Sequence, residues 1–105
     1  MAIEGQALAD GQLPNVEGVL YTVPADTVTY IKSIVLANTG AGQNIVILWV
    51  RLDGVNSRRI VRVPLETEEQ LLFDDPLTLE ATDEIRGSAT SAAEVDYVIS
   101  GGEGT

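Results

Sequence analysis

Asp74 and Asp75, with Glu66, Glu68, Glu69, Asp83 and Glu84 near them in sequence, are the side chains of this chain that come nearest to a ligating or reactive set. Hard oxygen donors in adjacent loops suit calcium. Their spacing matches no EF-hand loop, and acidic segments beside a proline suit solvated turns in which Asp bonds its own backbone. The turn assignment is favoured and no metal is assigned. Two carboxylates set across a sugar bond could hydrolyse it, but no pair is singled out by spacing, and 105 residues leave little room for a sugar-sized groove. The chain has no His and no Cys. That excludes Ser-His-Asp and Cys-His nucleophiles, His-ligated metals, Cys-containing zinc sites and disulfides, because each needs an imidazole or a sulfur. No catalytic residue and no cofactor is assigned, and the chain is expected not to be an enzyme.

The remaining chemistry is recognition. Arg51, Arg58, Arg59 and Arg62 are four of the six basic residues and fall within one predicted hairpin of an otherwise acidic chain. Arg suits interfaces because its planar fork holds carboxylates through two bonds and stacks on aromatic rings. The alternative is a cross-strand ladder with the protein's own acids, and both stand. Trp49 lies among them, in a run Ile45, Val46, Ile47, Leu48, Trp49, Val50 that is apolar at odd and even positions alike. A strand of that kind needs cover on both faces. Trp49 could be a sugar-stacking platform extended by Tyr21, Tyr30, Tyr97 or Phe73, but a core or subunit-interface position is the commoner fate of such a residue. The interface candidates are Ile45, Ile47, Trp49, Arg51, Arg58, Arg59 and Arg62; the spacing does not say which face of residues 44–53 is internal.

The elements that must carry these residues read as short strands between turn formers. Gly18 to Val23 and Val28 to Ala37 are rich in Val, Ile, Thr and Tyr, which suit a pleated surface. The strand from Asn44 follows, then a loop at Asp53, Gly54, Val55, Asn56 and Ser57, then a return strand from Arg58. Its alternation puts Arg58, Ile60 and Arg62 on one face and Arg59, Val61, Val63 and Leu65 on the other, the second set facing the core. Pro64 belongs at a strand end or sheet edge. Glu68 to Phe73, where Glu66, Glu68, Glu69 and Gln70 would also suit a helical turn, then Leu77 to Leu79, Ile85 to Ala89 and Glu94 to Ser100 complete the series. About seven to nine strands argue for an all-β, single-domain antiparallel β-sandwich or small jelly roll. Residues 1–17 are expected as an N-terminal arm or edge strand, 18–100 as the sandwich, and 101–105 as a flexible tail.

Charge and hydropathy limit the partners. A formal net charge of −10 opposes phosphate neutralisation, so direct nucleic-acid binding is disfavoured. No run of about 18 apolar residues suggests a membrane span, and Met1 to Leu13 lacks the halves of a signal peptide. Folding in a cytosol is expected. Hydrophobic content of 45% is enough for a core, without metal or disulfide.

Leu20, Tyr21, Thr22, Val23, Pro24 and Ala25, then Ile31, Lys32, Ser33, Ile34, Val35, Leu36, Ala37 and Asn38, carry a family resemblance. So do Leu77, Thr78, Leu79, Glu80, Ala81, Thr82, Asp83, Glu84 and Ile85, followed by Gly87, Ser88 and Ala89. From Gly18 to Ser100 the chain resembles small β-sandwich structural proteins of tailed bacteriophage virions. Those relatives often place Gly in the tight turn before the acid, where this chain has Thr82, so a different turn geometry is expected. The resemblance implies a virion component, assembled in the host cytoplasm, and carries no catalytic residues. Capsid decoration or cement protein is the leading expectation, with the major capsid protein and further copies of the chain as partners. A neck, tail or fibre-base component is the alternative, and a carbohydrate-binding module a more distant one.

Overall fold

The alternation of apolar and polar residues places nine strands in two antiparallel sheets in a computed structural model that describes residues 4–52 and 54–104. Met1 to Ile3, Asp53 and Thr105, which figure in the expectations above, lie outside the described residues. The strands are β1 (Glu4–Gln12), β2 (Gly18–Thr22), β3 (Val28–Asn38), β4 (Asn44–Arg51), β5 (Ser57–Leu65), β6 (Gln70–Phe73), β7 (Leu77–Leu79), β8 (Glu84–Ser88) and β9 (Val95–Gly104). The first sheet runs β1-β9-β3-β6, with β7 also on β3, and the second runs β2-β8-β4-β5. Pairing β4 with β5, β3 with β6 and β7, β2 with β8 and β1 with β9 is the pattern of one long hairpin rolled over itself. That is a jelly roll, the second of the two architectures expected.

The core lies between the sheets. Ile31, Ile34, Leu36, Val95, Tyr97 and Ile99 from the first sheet face Leu20, Tyr21, Val46, Leu48, Leu65 and Ile85 from the second, all buried. In β3 the inward set changes from Thr29 and Ile31 to Ile34, Leu36 and Asn38, because the register shifts between Ile31 and Ser33. A bulge adds one residue, and one residue reverses the period of two. Polar groups inside are bonded. Asn38 Nδ2 donates to the carbonyls of Gly42 and Leu65, and Asn44 Nδ2 donates to Asn38 Oδ1 and Glu94 Oε1. This buried amide pair fastens the loops at one end of the sandwich. Towards the other end, the Tyr21 hydroxyl donates to Glu103 and lies 2.8 Å from Thr29 Oγ1, joining the two sheets.

One expectation changes at the termini. Residues Gly101 to Gly104, expected in a mobile tail after residue 100, form the end of β9 and pair with β1 and β3. Gly101 serves proximity rather than freedom: a Cβ there would stand 1.9 Å from the Tyr30 carbonyl oxygen. Within the expected arm or edge strand, Glu4–Gln12 is the outer strand of the first sheet.

The acidic loops form matching turns. Glu69 N donates to the Glu66 carbonyl and Asp83 N to that of Glu80, while the Glu69 and Asp83 carboxylates accept from Glu66 N and Glu80 N. Glu68 and Thr82 occupy the third positions at φ 66° and 71°, the region that favours Gly in a type II turn. The turn that the resemblance expected to change shape without Gly therefore has a glycine-type conformation with Thr82 in it.

Candidate assembly interface

Strand β4 alternates strictly: Asn44, Val46, Leu48 and Val50 are buried, and Ile45, Ile47, Trp49 and Arg51 are half-buried on the opposite side. Only the even set enters the core. The odd set forms a stripe on the outer surface of the second sheet, one strand in from the β5 edge and two in from the β2 edge. Trp49 faces Arg86 of β8 on one side and Arg59 of β5 on the other, with Val19 of β2 beyond Arg86. Ile47 lies between Ser88 and Arg62, and Ile45 opposite Pro64. Trp49 lies half-buried on this outer surface, and among the described residues no pocket is found.

The position of Arg59 corrects the sequence expectation. The register of β4 with β5 shifts between Leu48, which pairs with Val61, and Trp49, which pairs with Arg59. Ile60 is the additional residue, and it turns Arg59 outward beside Trp49. The shift separates Arg59 from Val61, Val63 and Leu65, with which alternation had grouped it. Arg58 instead pairs with Val50 in the inward phase, although it is exposed. Six of the seven interface candidates thus share one outer face: Ile45, Ile47, Trp49, Arg51, Arg59 and Arg62.

The charges on this face fall into two groups. Glu17 Oε2 accepts from Arg86 Nε at 2.7 Å and from Ser57 Oγ at 2.5 Å, and lies 3.5 Å from Arg51 Nη2. Arg86 Nη1 also reaches Glu84 Oε1 at 2.7 Å. The Ser57 hydrogen bond and the Arg86 guanidinium hold the Glu17 carboxyl below its ordinary value despite opposing desolvation. Arg51 and Arg86 therefore belong to the intramolecular ladder. Arg58, Arg59 and Arg62 are exposed and have no ion pair among the described residues. The two readings of the arginines divide along this line: Arg51 is laddered, and Arg59 and Arg62 rim the apolar stripe.

Glu17, Ser57, Val19 and Arg86 were not singled out from sequence. Arg86 is remote from the hairpin in sequence and reaches Trp49 only through the β4 pairing with β8. The acids considered for calcium do not converge; among the described residues no group of three or more acidic side chains is placed to hold a metal. A second apolar row was also missed. Leu72, Val35 and Val98 are consecutive cross-strand partners on the outer side of the first sheet, 58, 37 and 39% exposed, and Asp10 continues the row.

Compared by sequence, the chain matches no protein-family model and no curated protein. Compared by structure, it is similar to a chain described in work on Bacillus endospore appendages that form disulfide-linked pili. That match has a TM-score of 0.58 at 18% identity and covers 98% of this chain and 88% of the other. It is also similar to part of a chain from infectious bursal disease virus, Gx strain, with a TM-score of 0.52 at 15% identity. This match covers 97% of the present chain and 32% of the viral one, so the protein spans about a third of that relative's length. At these identities the likeness is one of fold.

Proposed function

We propose that this protein is a non-enzymatic structural subunit of a tailed-bacteriophage virion, a decoration or cement protein that attaches to the major capsid protein and stabilises the shell. The outward stripe of Ile45, Ile47 and Trp49, rimmed by Arg59 and Arg62, is the observation that carries the proposal. Aromatic and Arg side chains grouped on an open surface are the usual anchors of protein contacts. The structural likenesses support the assembly class, since one similar chain is described in work on pili and the other is from a virus. Without Cys, this chain would assemble through noncovalent contacts. Many copies on a lattice gain avidity, so modest individual contacts suffice to brace a shell.

Purified particles test the proposal. A decoration protein is present in hundreds of copies and labels the shell in particle images; a dozen or fewer copies on the tail axis would assign the neck, tail or fibre base instead. Trp49→Ala should reduce attachment of the folded protein. The place of Trp49 on the outer side of β4 also keeps a sugar platform open to test: binding across a glycan array that is lost in Trp49→Ala would favour the carbohydrate-binding module.

A further inference from the structure

The charges of the molecule are divided between its two sheets. All five arginines, Arg51, Arg58, Arg59, Arg62 and Arg86, lie on strands of the second sheet, whose strands hold one acid, Glu84. The strands of the first sheet hold Glu4, Asp10, Asp96 and Glu103 against one base, Lys32. Each sheet also has apolar side chains interleaved with charged ones in a cross-strand row on its outer side. On the second sheet Val19, Arg86, Trp49 and Arg59 succeed one another across four strands. On the first sheet Asp10, Val98, Val35 and Leu72 do the same, and the adjacent row is Gln12, Asp96, Ala37 and Gln70. Asp10 and Asp96 are exposed there, as Arg59 and Arg62 are on the opposite surface.

We infer that the Arg-rimmed outer face of the second sheet takes a second copy of this chain, which presents the acid-rimmed outer face of its first sheet. The inference rests on the assembly reading above and deepens it by naming the occupant of the stripe: copies joined through it attach to the shell as a set, so loss of the stripe also weakens attachment. Charge selects this arrangement. Two second-sheet faces placed together would oppose Arg59 and Arg62 to themselves around the apolar centre, and two first-sheet faces would oppose Asp10 and Asp96. Only the unlike pair puts apolar on apolar with opposite charges at the rim, the complementarity that steers association and rejects wrong partners. Molecular extents of 44 × 28 × 19 Å provide a surface for roughly 800 Å² per partner, an ordinary specific contact. Because the joined surfaces differ, the contact is head-to-tail and repeats into a ring or an open row.

Charge exchange tests this directly with the full chain. Sedimentation velocity should show the wild type associating with concentration up to about 1 mM, the weak end of specific affinity. Arg59→Glu with Arg62→Glu should weaken self-association by at least about tenfold through like-charge contact, and Asp10→Arg with Asp96→Arg should do the same. An equimolar mixture of the two double variants should associate again, because the reversed rims complement each other. Circular dichroism on each variant verifies that it is folded. Should a double variant not fold, single Arg62→Glu and Asp96→Arg variants replace it in the same scheme. A wild type that stays monomeric, an Asp10→Arg, Asp96→Arg variant that still associates, or a mixture that stays dissociated overturns the inference. Monomeric wild type with Trp49-dependent attachment to particles ends this inference and leaves the assembly reading intact. Head-to-tail association of a protein absent from particles does the reverse.

Discussion

Trp49 and Arg59 stand opposite each other on the outer surface of the β4 and β5 pair because Ile60 interrupts the register beside them. Without that additional residue, Arg59 would share the inward phase of Val61 and Val63. The bulge thus supplies one of the two arginines that flank the indole, the other being Arg86 across the opposite edge of β4. It also places at the rim of an apolar stripe a cation that has no ion pair among the described residues.

The two faces of β4 should respond differently to truncation. Leu48→Ala removes a fully buried side chain and should cost about 2–5 kcal/mol of stability. Ile47→Ala and Trp49→Ala, on the half-buried outer side, should cost less, roughly 1–3 kcal/mol in urea unfolding, while reducing association or particle attachment. Trp49→Ala that unfolds the domain and leaves association of the folded fraction unchanged would return Trp49 to the core.

Gly101→Ala should be among the most damaging single substitutions, because its Cβ would overlap the Tyr30 carbonyl oxygen in the partner strand. We expect a loss of about 3 kcal/mol or more, read as a large fall in Tm. Truncation after Ser100 should have a similar effect, since it removes residues paired on both sides by β1 and β3. Unchanged Tm on truncation would restore the mobile tail.

Thr82→Gly should stabilise the protein. A β-branched residue at φ 71° bears a steric cost of roughly 1–2 kcal/mol, and the unfolded-chain entropy of Gly offsets about half of it. A net gain of about 0.5–1 kcal/mol in urea unfolding is expected. Gly54, at φ 76°, should show the opposite sign when changed to Ala.

Two groups give the pH dependence of stability opposite slopes at the two ends of the scale. The carboxyl of Glu17 is lowered from 4.5 chiefly by Ser57 and then by Arg86, so its contribution is present above pH 4.5 and is lost as pH falls through the folded value. The hydroxyl of Tyr21 is pushed up from 10.0 to about 12 by burial and then by Glu103. Its contribution is present below pH 10 and disappears as pH rises through about 12. Thermal unfolding across pH should show the acid step reduced in Glu17→Gln, by less than about 1 kcal/mol for a partly exposed ion pair, and the alkaline step reduced in Tyr21→Phe, with burial of Tyr97, which raises its hydroxyl too, supplying the remainder. A Tyr21→Phe variant that keeps the whole alkaline fall would assign that fall to other groups.

Much of this fold is legible along the chain because strand alternation is local. The β4 and β5 hairpin, the closing strand with Val95, Tyr97 and Ile99 on one face, and the all-β class follow from a period of two and from turn residues. Absence of His and Cys likewise limits chemistry whatever the fold. Alternation reports which residues share a face, however, and not which face is covered. In β4 both sets are apolar, so only packing against Ile34, Leu36 and their neighbours could assign Val46 and Leu48 to the core and Trp49 to the surface. The bulge at Ile60 leaves no mark in composition, and Arg86 meets Trp49 through a pairing set by strands distant in sequence. The glycines after Ser100 read as freedom until a facing backbone fixes their place. Division of acids and arginines between the two sheets is also decided at this level, since sheet membership depends on how the long hairpin rolls up and not on neighbours in the chain.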